Sequence, residues 1–186
     1  MWSGDETTRV VGVRTFGDEL LAAIAPLGLA LAAGSALVVD LDPDGPAYPG
    51  ERTVAELAEE GPRRTELDPG RSGVATLRNG GAETLAAIEV VGTLAESWPA
   101  IVVRVGSEPV PFPVIPVRPL WPGFLAYAGQ SPSVWQAVPG GAEAPGPGPV
   151  LPPPGRATVT ALLSGRRPPR SRWVRAWTEV WELPWR

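Results

Sequence analysis

Four acidic side chains, Asp40, Asp42, Asp44 and Glu51, form the stretch of this 186-residue chain best suited to chemistry. Carboxylates two apart on an extended segment share a face and can hold a hard divalent ion or position a water. Asp40-Leu41-Asp42-Pro43-Asp44-Gly45, with Glu51 beyond it, also matches the whole spacing of an EF-hand calcium loop, Glu51 taking the bidentate position. The flanks fit that loop poorly. Leu37-Val38-Val39 enters as a strand, Pro43, Pro46 and Pro49 stiffen the segment, and Ala47 is small for the central apolar position. The plainer alternative is that a strand ending at Asp40 needs a polar exit and that Asp42-Pro43 starts a turn. Two readings therefore stand side by side: no cofactor, or Ca²⁺ or Mg²⁺ on Asp40, Asp42, Asp44 and Glu51.

The residue types that are missing narrow the chemistry further. All 16 basic residues are Arg, and the chain has no His and no Cys. That removes a Ser-His-Asp triad, a thiol nucleophile, a His/Cys zinc site and any catalytic lysine. Disulfides are excluded as well. A net charge of −4 argues against a general nucleic-acid binder, which would carry a basic face.

The elements that must position the acids follow from the apolar pattern. Arg9–Arg14 reads as a strand, Thr15-Phe16-Gly17-Asp18 as a turn, and Glu19–Ala33 as an apolar helix with Asp18 as its cap. Ala36–Val39 shows no alternation, as expected of a strand covered on both faces. The unit is β-α-β, and the two strands are expected to be parallel neighbours. Leu20–Val39 is a run of 20 uncharged residues, long enough to cross a membrane. Pro26, Gly28, Gly34 and Ser35 break it, and Asp18-Glu19 precedes it, so buried helix, turn and strand is the better reading.

Thr53–Glu60 reads as a helix with a Thr53/Glu56 capping box, ended by Gly61-Pro62. Val74–Leu77 is a short strand, Ala82–Ser97 a helix, and Ala100–Val105 another unalternating strand. Prolines at 111, 113, 116, 119 and 122 suggest an edge strand or polyproline segment. Residues 139–155 hold seven Pro and five Gly and read as a linker. The segment 156–186 then reads as a separate unit, with Trp173, Trp177, Trp181 and Trp185 four apart. Trp173, Trp177 and Trp181 with Arg172 and Arg175 suit docking to another protein or to a membrane surface.

Taken in order, Arg9-Val-Val-Gly-Val, the helix 20–33 and Ala36-Leu-Val-Val-Asp-Leu-Asp-Pro-Asp44-Gly45 resemble the first third of the MinD/ParA family of deviant P-loop ATPases, including its pilus-locus, CpaE-like branch. The resemblance covers residues 9–106. It implies a domain over 9–138 with a parallel sheet and flanking helices, an α/β fold of P-loop NTPase type. It also implies where the chain departs from the family. The turn expected to be Gly-rich with two lysines is Thr15-Phe16-Gly17-Asp18-Glu19, and the position expected to hold the Walker B acid falls at or near Arg104. A phosphate cradle needs backbone N–H groups and a nearby cation, and Asp18 and Glu19 would repel a triphosphate.

The resemblance thus implies a pseudo-ATPase rather than an enzyme, with no catalytic residue. Its expected work is scaffolding or regulation by docking another protein, in pilus assembly, cell division or positioning. A cytoplasmic location, peripheral contact with a membrane and a homo- or heterodimer are compatible with it.

Overall fold

The computed structural model describes residues 9–64, 66, 73–123, 132–168 and 170–185. Residues 1–8 lie outside the described residues. The strands are β1 (Arg9–Thr15), β2 (Ser35–Asp40), β3 (Gly73–Leu77), β4 (Ala100–Arg104), β5 (Val114–Pro119), β6 (Val134–Gln136) and β7 (Val150–Leu151). The helices are α1 (Glu19–Ala33), α2 (Val54–Glu60), α3 (Thr84–Leu94), α4 (Arg156–Leu163) and α5 (Arg172–Glu182). One seven-stranded sheet runs in the order β3-β2-β4-β1-β5-β6-β7, and all its pairings are parallel.

The sheet corrects one expectation. β1 and β2 are not neighbours, because β4 lies between them and pairs with both. A β-α-β segment fixes direction, but the distance its helix spans is decided by which later strand fills the gap. Here that strand carries Arg104, placed in register with Asp40.

The two faces of the sheet are covered differently. Val11, Val13, Val38, Val102 and Ile115 face a core built with α1, α4 and α5, whereas Val10, Val39, Ile101 and Val103 face α2 and α3. A helix that is apolar all round must be covered all round. α1 is covered over its middle, from Leu21 to Ala30: the sheet lies on one side, and α5 packs on the other through Trp173 and Trp177, while Leu20 stays exposed. Gly28 makes that approach possible, since a Cβ there would stand 2.5 Å from the Trp177 ring nitrogen. Among the described residues no helix is long and apolar enough to cross a membrane.

β5 also differs from expectation, because it is an interior strand between β1 and β6. Its prolines are tolerated by position. The Leu120 N–H donates to Gln136, so even-numbered residues of β5 face β6 and odd-numbered ones face β1. Pro116 faces β6 one residue before pairing starts at Val117–Val134, and Pro119 faces β1 beyond its last pair, Thr15–Val117. Neither removes a ladder hydrogen bond.

Residues 139–155, read above as a linker, contain β7 and fold over β6. The Pro149 carbonyl accepts from the Trp135 N–H at 2.9 Å, and Trp135 is fully buried. The segment read as a separate unit is part of the same core. Trp173, Trp177, Val180 and Leu162 are buried with α1, and the Trp173 indole donates to Gln136 Oε1 at 2.7 Å. Burying an indole of this kind is worth roughly 4–6 kcal/mol before entropy is counted.

Candidate functional site

Parallel strands present their chemistry at their C-terminal ends, where the loops gather. At that edge β2 ends in Asp40 and β4 ends in Arg104, and both side chains point to the α1 face. They form a bidentate pair: Arg104 Nε donates to Asp40 Oδ1 at 2.7 Å and Nη2 to Oδ2 at 2.6 Å. Each residue is 2% exposed. The remaining guanidinium nitrogen, Nη1, donates to the Pro46 carbonyl at 2.6 Å.

The loop after β2 closes over this pair. The Asp42 N–H donates to Asp40 Oδ1 at 3.0 Å, which turns the chain outward. Gly45 then passes so close to Arg104 that a Cβ there would lie 2.9 Å from the guanidinium carbon. Tyr48 follows, its ring 4.6 Å from that carbon and its hydroxyl donating to the Ala23 carbonyl of α1 at 3.0 Å. Tyr48 thereby pins the loop to α1, and burial pushes its phenol well above the ordinary range. Burial likewise pushes the Asp40 carboxyl up, while the Arg104 charge pulls it back down. From below, the Asn79 amide donates to the Asp40 carbonyl at 3.3 Å.

The turn between β1 and α1 completes the edge. It consists of Phe16, Gly17 and Asp18. Gly17 takes φ +66°, and the Asp18 carboxylate accepts from the Leu21 N–H at 2.8 Å. The helix N-terminus is therefore capped by the chain's own anion, with Glu19 beside it in the first turn. Arg118 lies 4.1 Å from the Phe16 ring, and burial lowers its pKa.

These contacts test whether a nucleotide and its Mg²⁺ fit. A phosphate needs free N–H groups at the helix start, and there a carboxylate sits. A Mg²⁺ needs open carboxylate oxygens, and both of Asp40's are held by a guanidinium. The residues present do not fit the group. Calcium fares no better at Asp40, and Asp42 is spent on its own loop, where Oδ1 accepts from the Asp44 N–H at 3.3 Å. Asp44 and Glu51 are exposed, and among the described residues no group of three or more His, Cys, Asp or Glu gathers to hold an ion. A shallow cleft of about 350 Å³ remains beside Asp40, between Asp42, Thr53, Arg78 and Asn79.

The docking residues divide. Trp173 and Trp177 are buried within the domain and are not available to a membrane or partner. The Trp181 ring is half-buried under Arg9, 4.5 Å away, and Arg9 also donates to the Trp181 and Leu183 carbonyls. Arg172 and Arg175 are exposed and line a groove with Val150 and Glu179.

Sequence reasoning named Arg104 for the acid it replaces and not for the pair it makes. It missed Tyr48, for which the signal was an aromatic residue in a loop otherwise of Asp, Pro, Gly and Ala.

No family model matches the chain, and no curated protein matches it. Among solved structures it is similar to the crystal structure of a ParA family ATPase from Chlorobium tepidum TLS, with 13% identity and a TM-score of 0.62, over 95% of this chain and 100% of that one. At that identity the likeness is one of fold: the chain has a ParA-like α/β architecture.

Proposed function

We infer that this chain is a non-catalytic member of the ParA-like fold that works by docking another protein, as scaffold or regulator. One observation carries the reading. The guanidinium of Arg104 holds both oxygens of Asp40 at the strand ends where a P-loop fold handles phosphate and metal. The capped start of α1 and the absence of lysine support it from two other sides. Arg172 and Arg175, exposed beside β7, are the residues of the original docking set left free for a partner. The MinD/ParA resemblance suggests pilus assembly, cell division or positioning as the setting.

The catalytic half is tested by phosphate release from Mg·ATP. No turnover above buffer is expected, and turnover abolished by Asp40→Asn would contradict the reading. The docking half is tested with tagged wild-type and R172E/R175E chains in the native cell. A stoichiometric partner held by the wild type and lost by the variant is expected. Equal recovery from both would remove these arginines from the interface.

A further inference from the structure

A cavity lies away from the Asp40 edge. It encloses about 680 Å³ between α1, the edge strand β3 and the end of α4, within the range of about 300–1,000 Å³ usual for small-molecule sites. Leu27 and Leu31, one turn apart on α1, form one wall with Leu162 of α4, and Val74 of β3 forms another. At its mouth stand Arg166 and Arg167. No described lining residue is acidic.

The local fold places those two arginines. α4 ends in a Schellman motif: the Arg166 N–H donates to the Ala161 carbonyl at 2.8 Å and the Gly165 N–H to Leu162 at 3.0 Å. Gly165 takes φ +65°, a conformation that favours glycine. The reversal delivers Arg166 and Arg167 to the rim directly after Leu162 has entered the wall. Both are exposed and have no ion pair among the described residues. They also border a second cleft, of about 630 Å³, whose far side holds Arg156. In a chain of net charge −4, two guanidinium groups lining the chamber and a third in the adjoining cleft, none in an ion pair among the described residues, make a local well for anions.

We propose that this cavity binds an amphipathic anion, a single apolar chain headed by carboxylate or phosphate. The chain lies among Leu27, Leu31, Val74 and Leu162, and the head pairs with Arg166 and Arg167, with Arg156 adding to the field. This site is independent of the crevice at Asp40, so the two readings can fail separately.

Calorimetry with the full chain tests it, using decanoate, dodecyl phosphate and decyltrimethylammonium as probes. Saturable one-to-one binding of the two anions is expected, with none of the cation. R166A/R167A should weaken decanoate at least tenfold with an unchanged melting temperature. Val74→Phe, which fills the chamber, should weaken it comparably. Three outcomes overturn the proposal: no saturable binding of either anion, cation binding equal to anion binding, or full affinity in R166A/R167A. Flotation with phosphatidylglycerol vesicles separates the lipid source. Vesicle binding lost in R166A/R167A, with no decanoate binding, would assign the arginines to a membrane surface and overturn the cavity.

Discussion

At the scale of single residues, a buried pair such as Asp40–Arg104 stabilises little over a well-packed apolar replacement but is costly to break from one side. Arg104→Met should therefore cost about 3–5 kcal/mol at pH 8 in urea unfolding, because Asp40 is left as an uncompensated buried charge. The double variant D40N/R104M should recover most of that loss. Acid relieves this buried charge. With Arg104 gone, burial first and the Asp42 charge second outweigh the Asp42 N–H that still lowers it, and the folded carboxyl lies above its unfolded value. Its stability contribution is then greatest below the unfolded pKa and is lost as pH rises through the folded one. The R104M deficit should shrink from pH 8 to pH 4.5, and a deficit constant with pH would show that Asp40 is not the group left behind. Asp40 was legible in the sequence as a strand-terminal acid. Its partner was not, because a separation of 64 positions along the chain says nothing about adjacency.

Elements were read with mixed success, for physical reasons. The helix 19–33 and its Asp18 cap, and the Thr53/Glu56 capping box, are local patterns, and all are present. Thr53→Ala should cost about 1 kcal/mol. The Glu56 carboxyl, held low first by the Thr53 N–H, should make this corner weaken as pH falls below its ordinary value of 4.5. Hydrogen exchange across 53–60 reads both effects. The proline-rich strand and the tail were harder. Their placement depends on where partner strands begin and end, and on a glycine in another helix. Gly28→Ala should destabilise by about 1–3 kcal/mol through overpacking against Trp173 and Trp177. Trp177→Ala should cost about 3–5 kcal/mol. A tail that were a free membrane anchor would show neither effect on the melting temperature, so thermal unfolding of both variants decides the matter.

For the whole molecule, the class of fold followed from unalternating strands separated by helices, since only a sheet covered on both faces asks for them. Strand order did not follow. The insertion of β4 between β1 and β2 is a long-range outcome, and it sets Arg104 against Asp40. The ParA-like parallel sheet is present, and at its C-terminal edge Arg104, Tyr48 and Asp18 are engaged by partners within the chain itself. The most direct measurement is calorimetric titration of the wild-type chain with Mg·ATP. The account predicts no saturable heat at millimolar nucleotide. A micromolar Kd that weakens in Asp40→Asn would contradict it.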